Sequence, residues 1–145
     1  MAQKSFYVDS CIWLNLFKKE ENANKGVKYW KIAKDFIEKV MFSNSEIIYT
    51  GFVLKELKFK LSEDEFNEKM LFFKGEQSFR FIKATDEDYS FAQKLESEFN
   101  YEISFFDCAH IAICKRLNFV LVTRDEKLIE CAKKYIQAER PENLT

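Results

Sequence analysis

Glycine and proline are nearly missing from this chain, at three and one residues out of 145. Collagen-like and Pro/Gly-rich disordered compositions are therefore excluded, and no stretch reads as a flexible linker. A single domain over residues 1–145, with one hydrophobic core, is the expectation. Histidine occurs once, as His110, which rules out HExxH and every other two-histidine zinc pattern. Cysteine occurs four times (Cys11, Cys108, Cys114, Cys131) without a CxxC pair or zinc-type spacing. All four stand among apolar neighbours and read as reduced core residues. Walker A, GxGxxG and GxSxG loops are absent, as is a DxD after the first strand-like run. No apolar run approaches the ~20 residues that span a bilayer, and the N-terminus shows no signal-peptide apolar region. No membrane association and a reducing cytoplasmic location are expected. Nor does one sign of charge dominate, with 23 basic against 24 acidic residues. That balance does not advertise a nucleic-acid partner, although a local basic strip escapes such a total.

What the chain does have is apolar and aromatic bulk: 47% hydrophobic and 17% aromatic residues, including 16 Phe. Short strand-like runs alternate with helical periods. Residues 6–8, 46–50, 79–82 and 119–122 read as strands, and a final short strand is expected at roughly 135–138. Between them, Asp9-Ser10 opens a helix over CIWLNLFKK, and Lys28–Phe42 keeps a helical period. FVLKELKFKL is helical, Ser62 caps a helix that runs through Phe73, and Thr85 with Asp88 forms a capping box. Ser104 caps FFDCAHIAICKRL, which is apolar almost all round and so should be the most buried helix; Asp125 caps EKLIECAKKY. Strands alternating with helices predict a three-layer α/β/α sandwich around a mainly parallel sheet of four to five strands. Apolar residues Phe66, Met70, Leu71, Phe72 and Phe73 are expected to be exposed on the fourth helix, as a partner surface.

Four acids stand where apolar runs give way to new elements: Asp9, Glu56, Asp107 and Asp125. Each has an ordinary explanation. Asp9 and Asp125 serve as N-caps worth ~1 kcal/mol, Asp107 complements a helix dipole, and Glu56 pairs with Lys60 one turn on. Taken together they read differently. Asp9 and Asp125 both follow strands, at the carboxyl edge where open parallel sheets carry their functional crevice. Asp107 is flanked by the core-type residues Phe106, Cys108 and Ile111, which predicts partial desolvation. Thr123 places a hydroxyl beside the same crevice, where a water or a substrate phosphate could be held. Converging carboxylates require a compensating cation, and oxygen ligands without histidine or thiolate favour Mg²⁺ or Mn²⁺. His110 stands one turn after Asp107; it is either a satisfied helix-packing histidine or a group behind the acids. Lys55, Lys58 and Lys60 flank Glu56, as a phosphate-holding strip or as a solvated helix face.

The ordered set YVDSCIWLNLF, the Glu of VLKEL, SFFDCAHIAICKRL and LVTRDEKL resembles the PIN-domain nucleases, including the VapC-type toxins of toxin–antitoxin pairs. The resemblance extends to the closing PENL. It implies a PIN-like fold and a metal-dependent endoribonuclease that hydrolyses RNA phosphodiester bonds. Asp9, Glu56, Asp107 and Asp125 match the family's acidic quartet, as ligands of Mg²⁺ or Mn²⁺, and Thr123 matches the common polar residue ahead of the last acid. Cys11 departs from the pattern, since many members carry Asn there. An RNA substrate, an antitoxin protein and a homodimer are the partners implied. The alternative is a PIN-like RNA- or protein-binding module with little catalysis.

Overall fold

The computed structural model describes residues 4–144, so the outermost ends of the expected domain, residues 1–3 and 145, lie outside the described residues. Five short strands form one sheet: β1 (Ser5–Val8), β2 (Glu46–Tyr49), β3 (Phe79–Phe81), β4 (Val120–Val122) and β5 (Ala138–Glu139). Their order is β3-β2-β1-β4-β5 and every pairing is parallel. The central strands are apolar on both faces, as a covered parallel sheet requires: Tyr7, Val8, Ile47, Ile48, Leu121 and Val122 are all buried.

Seven helices supply the crossovers. They are α1 (Ser10–Phe17), α2 (Tyr29–Met41), α3 (Gly51–Lys60), α4 (Glu63–Gly75), α5 (Asp86–Glu98), α6 (Phe105–Leu117) and α7 (Glu126–Ala132). The chain steps outward from β1 to β2 and β3, then returns past β1 to β4 and β5. Right-handed connections therefore put α1–α4 on one face and α5–α7 on the other. Alternation along β1 agrees. Phe6 meets Phe36 of α2, at 5.4 Å between ring centroids, whereas Tyr7 meets His110 of α6 on the opposite face. The order in which the chain adds strands reverses between β1 and β4, and that junction is where α/β sheets open a crevice.

Local signals act as the residue types dictate. Ser62, Thr85 and Ser104 each close a capping box, with Glu65, Asp88 and Asp107 respectively. Asn118 ends α6 in the left-handed conformation, where its short polar side chain is tolerated. Helix α6 buries an unbroken run from Cys108 to Cys114, as its all-round apolar pattern predicts.

Three expectations need correction. The last strand begins at Ala138, because the amides of Tyr135 and Ile136 bond back to Ala132 and prolong the turn after α7. Thr50 is the N-cap of α3, its hydroxyl accepting from the Val53 amide, so β2 stops at Tyr49. The apolar residues of α4 are not a uniformly exposed face. Phe73 is buried against Trp13, Tyr49 and Phe79, Phe72 packs on Trp13 and Phe79, and only Leu71 of that group is strongly exposed. A period of 3.6 shows which residues share a helix face, but not that a neighbouring tryptophan reaches across to cover it.

Candidate functional site

At the β1–β4 junction the Asp9 amide donates to the Val122 carbonyl, 2.9 Å. This bond prolongs the ladder by one residue and holds Asp9 at the mouth of the switch point. The Asp9 side chain caps α1 only weakly, accepting from the Ser10 amide (2.8 Å) and from no amide deeper in the helix. Its other oxygen accepts from the Thr123 hydroxyl at 2.8 Å and lies 3.6 Å from the Cys11 thiol. Thr123 is completely buried, and its oxygen also accepts from the Asp125 amide at 3.2 Å. The hydroxyl expected to meet a water or a phosphate instead holds Asp9 from behind.

His110 has a larger part in this site than its position on an apolar helix foretells. Its Nε2 lies 3.0 Å from Oε1 of Glu56 and 3.4 Å from Oδ1 of Asp9, and its Nδ1 lies 2.6 Å from the Tyr7 hydroxyl. Burial alone would depress its pKa, but the bonds to Asp9 and Glu56 outweigh burial and lift it to about 10. Both ring nitrogens of the resulting imidazolium donate, so Tyr7 passes its own proton on to Thr50, 2.7 Å away. Asp9 is affected reciprocally. Burial would raise it, yet the His110 bond and charge, with Thr123 and Ser10, hold it below the usual carboxylate range. The expected Glu56–Lys60 pairing gives way to this inward bond, because α3 turns the first turns of its buried face toward α6.

Asp9, Glu56 and His110 bring one ligand atom each within 4.8 Å of one another. His110 supplies the positive charge of this trio, and its hard oxygen donors are the two carboxylates. Asp107 stands outside that compact group. It forms a capping box with Ser104, through Oδ2 at 3.4 Å. Its Oδ1 makes no hydrogen bond among the described residues. Desolvation, followed by the negative charge of Asp9 and, more weakly, Glu56 and Asp125, pushes its carboxyl up to about 6, against the opposing charge of His110. Burial is the first cause of that shift, and the neighbouring carboxylates add to it. Hard oxygen donors of this kind suit a divalent cation, and the carboxylates brought within ligand distance of one another are Asp9 and Glu56. Asp125 is exposed and shows the full geometry of its ordinary role, accepting from the amides of Lys127 (3.0 Å) and Leu128 (3.1 Å).

Two residues of the neighbourhood were not singled out from sequence. Arg124 lies between Thr123 and Asp125, stacks over Tyr29 at 4.6 Å, bonds Asn15 and grips Glu142 with both terminal nitrogens at 3.0 Å. Tyr7 anchors His110, and only its strand parity, opposite to Phe6 and Val8, points to the α6 side.

The model of a family described as the PIN domain matches residues 6–134. No curated protein sequence matches the chain. Similar solved structures include VapBC from Rickettsia felis bound to a DNA fragment from its promoter, with a TM-score of 0.68 and 15% identity, covering 93% of this chain and 98% of that one. A sarcin–ricin loop-cleaving toxin of Mycobacterium tuberculosis gives 0.67 and 17%, over 86% and 93% of the two chains. A toxin–antitoxin complex from Klebsiella pneumoniae gives 0.60 and 15%, over 85% and 88%. At these identities the likeness is one of fold.

Proposed function

The chain belongs to the PIN-domain family, and from that premise we propose that it is a divalent-metal-dependent endoribonuclease, the toxin of a toxin–antitoxin pair. The observation that carries this reading is the approach of Asp9 and Glu56, with His110, at the switch point of the sheet, beside an Asp107 carboxyl that burial and the charge of these acids lift to about 6. Asp9, Glu56, Asp107 and Asp125 would hold Mg²⁺ or Mn²⁺, directly or through water. Such an ion, when bound, brings the pKa of a coordinated water toward neutrality and neutralises charge on the scissile phosphate.

The chain's own residues supply the rest. Thr123 and the Ser10 amide fix the two oxygens of Asp9, so a donor is oriented before anything binds. His110 fixes Glu56 from a second helix and helps hold Asp9 below the usual carboxylate range, and the Tyr7–Thr50 pair fixes His110. The capping box with Ser104 holds Asp107 through Oδ2 and leaves its Oδ1 without a hydrogen bond among the described residues. RNA as substrate, an antitoxin protein as partner and a homodimer as assembly belong to the same proposal. The fold neighbours named as toxins and toxin–antitoxin complexes support it.

The test is cleavage of an RNA panel by the purified chain with Mg²⁺, Mn²⁺ or EDTA, together with calorimetric titration of metal. Cleavage and metal binding are expected in the wild type, with cleavage lost in Asp9→Asn and Asp107→Asn. Cleavage that survives both substitutions sinks the assignment of the site. Metal binding without cleavage of any RNA favours the binding-module reading.

A further inference from the structure

A second concave surface adjoins the acids and none of the roles above uses it. It is a cleft of about 590 Å³ bounded by the first turns of α3, the segment from the end of β3 into α5, and the start of α6. Its walls carry Phe52, Phe81, Tyr89 and Phe105 together with Lys55 and Lys83. Three of the rings form one array, while Phe81 packs on Tyr49 at 5.4 Å. Phe52 lies 5.6 Å from Tyr89, and Tyr89 stacks on Phe105 at 6.1 Å with 27° between planes. Yet Phe81 and Tyr89 remain 47% and 46% exposed, so their faces are not consumed by the core. Lys55 and Lys83 are exposed and neither forms an ion pair among the described residues. Among the described residues Asp86 is the one acid lining the cleft, against these two cations. The cleft shares α3 and α6 with the acidic site: Lys55 on its wall immediately precedes Glu56, and Phe106, also on its wall, immediately precedes Asp107.

From this juxtaposition we propose that the cleft is a nucleotide subsite for single-stranded RNA, in which an unpaired base stacks on the Tyr89 and Phe81 faces while Lys55 and Lys83 hold the flanking phosphates beside the acids. The inference deepens the ribonuclease reading and rests on it. Free ring faces beside unpaired cations are what a base with its phosphate needs, since stacking tolerates any base and the lysines neutralise the backbone. A duplex is excluded by the same chemistry, because its bases present no free faces.

The probe is a short single-stranded oligoribonucleotide carrying 2-aminopurine, bound to the Asp107→Asn chain with Mg²⁺ so that it is not consumed. Stacking is expected to quench the probe. Tyr89→Ala is expected to lose the quench and bind about tenfold more weakly. Lys55→Gln/Lys83→Gln is expected to lower the slope of log affinity against log salt by about 1.4, the release expected of two single-strand phosphates; both side chains are solvent-exposed, so this arm stands even if Tyr89→Ala unfolds. In the otherwise native chain, the same changes should raise KM for single-stranded RNA with kcat retained. Cleavage by the wild type, with quench, affinity and salt slope unchanged in both variants, overturns the subsite and leaves the ribonuclease reading standing. Absence of RNA cleavage and binding in every form removes that reading and the subsite with it. Dissociation of a dimer by Tyr89→Ala at unaltered RNA affinity overturns the subsite in favour of a second copy of the chain.

Discussion

Two buried clusters flank the upper half of the sheet, and they are held by opposite means. On one face, Trp13, Phe72, Phe73, Phe79 and Tyr49 meet ring to ring, with centroids 4.8 to 6.4 Å apart. On the other, Thr50, Tyr7, His110, Glu56, Asp9 and Thr123 form one chain of hydrogen bonds and ion pairs between 2.6 and 3.4 Å. The aromatic cluster is non-directional; its stability scales with the area removed from water, and one ring can shift against another. The polar chain is directional, and each member fixes the proton of the next. The first secures the fold, and the second orients carboxylates that the fold alone would leave free.

The sharpest way to break this contrast is Trp13→Ala. Emptying a fully buried indole site is expected to cost about 3–5 kcal/mol in denaturant unfolding. Cleavage per folded molecule should persist, since no contact of Trp13 reaches the acids. A loss of specific activity in the folded fraction would show that the two clusters are coupled.

His110→Leu tests the other side. It removes the positive charge between Asp9 and Glu56 and is expected to cost about 3 kcal/mol, toward the lower end for a broken buried pair because Glu56 retains partial contact with water. The sign of its pH dependence follows from the folded pKa of about 10 against an ordinary value of 6.5. The stabilisation is fully present below pH 6.5 and is lost as pH rises through 10. Wild-type stability should therefore decline across that window, and the decline should vanish in His110→Leu. An identical slope in both proteins would mean that His110 is neutral.

Asp107→Asn should have the smallest effect, and of opposite sign. An acid raised from 3.8 to about 6 opposes folding once ionised, so its cost is absent below pH 3.8, grows to pH 6 and is constant above it. Its removal is expected to raise stability by about 1–2 kcal/mol at pH 7, discounted for partial exposure, and to leave stability unchanged at pH 3.5. Equal stability of mutant and wild type at both pH values would mean that the charges around Asp107 are already compensated.

The acids, the caps and the alternation of strands and helices were legible because each rests on residues close in sequence. Asp9 and Asp125 follow strands, Asp107 sits three residues after its capping serine, and α6 is apolar all round. His110 was ambiguous for a physical reason: its neighbours on α6 describe one helix face, whereas its partners come from β1 and α3, more than fifty positions away. Thr123 was read as offering its hydroxyl to the crevice, whereas it is completely buried and donates to Asp9, a partner 114 positions away that strand parity does not reveal. The α4 residues failed similarly, with Phe73 covered by rings from α1, β2 and β3.

Local chemistry thus determined which elements form, in what order, and which edge of the sheet carries the acids, because capping, periodicity and right-handed crossover act over short spans of chain. Tertiary packing alone decided what each acid faces: Glu56 toward His110, Asp9 clasped by Thr123, Asp107 left without a cation. Those pairings join residues 54 to 114 positions apart, and they depend on how one element is rotated against another, which no repeat within a single element encodes.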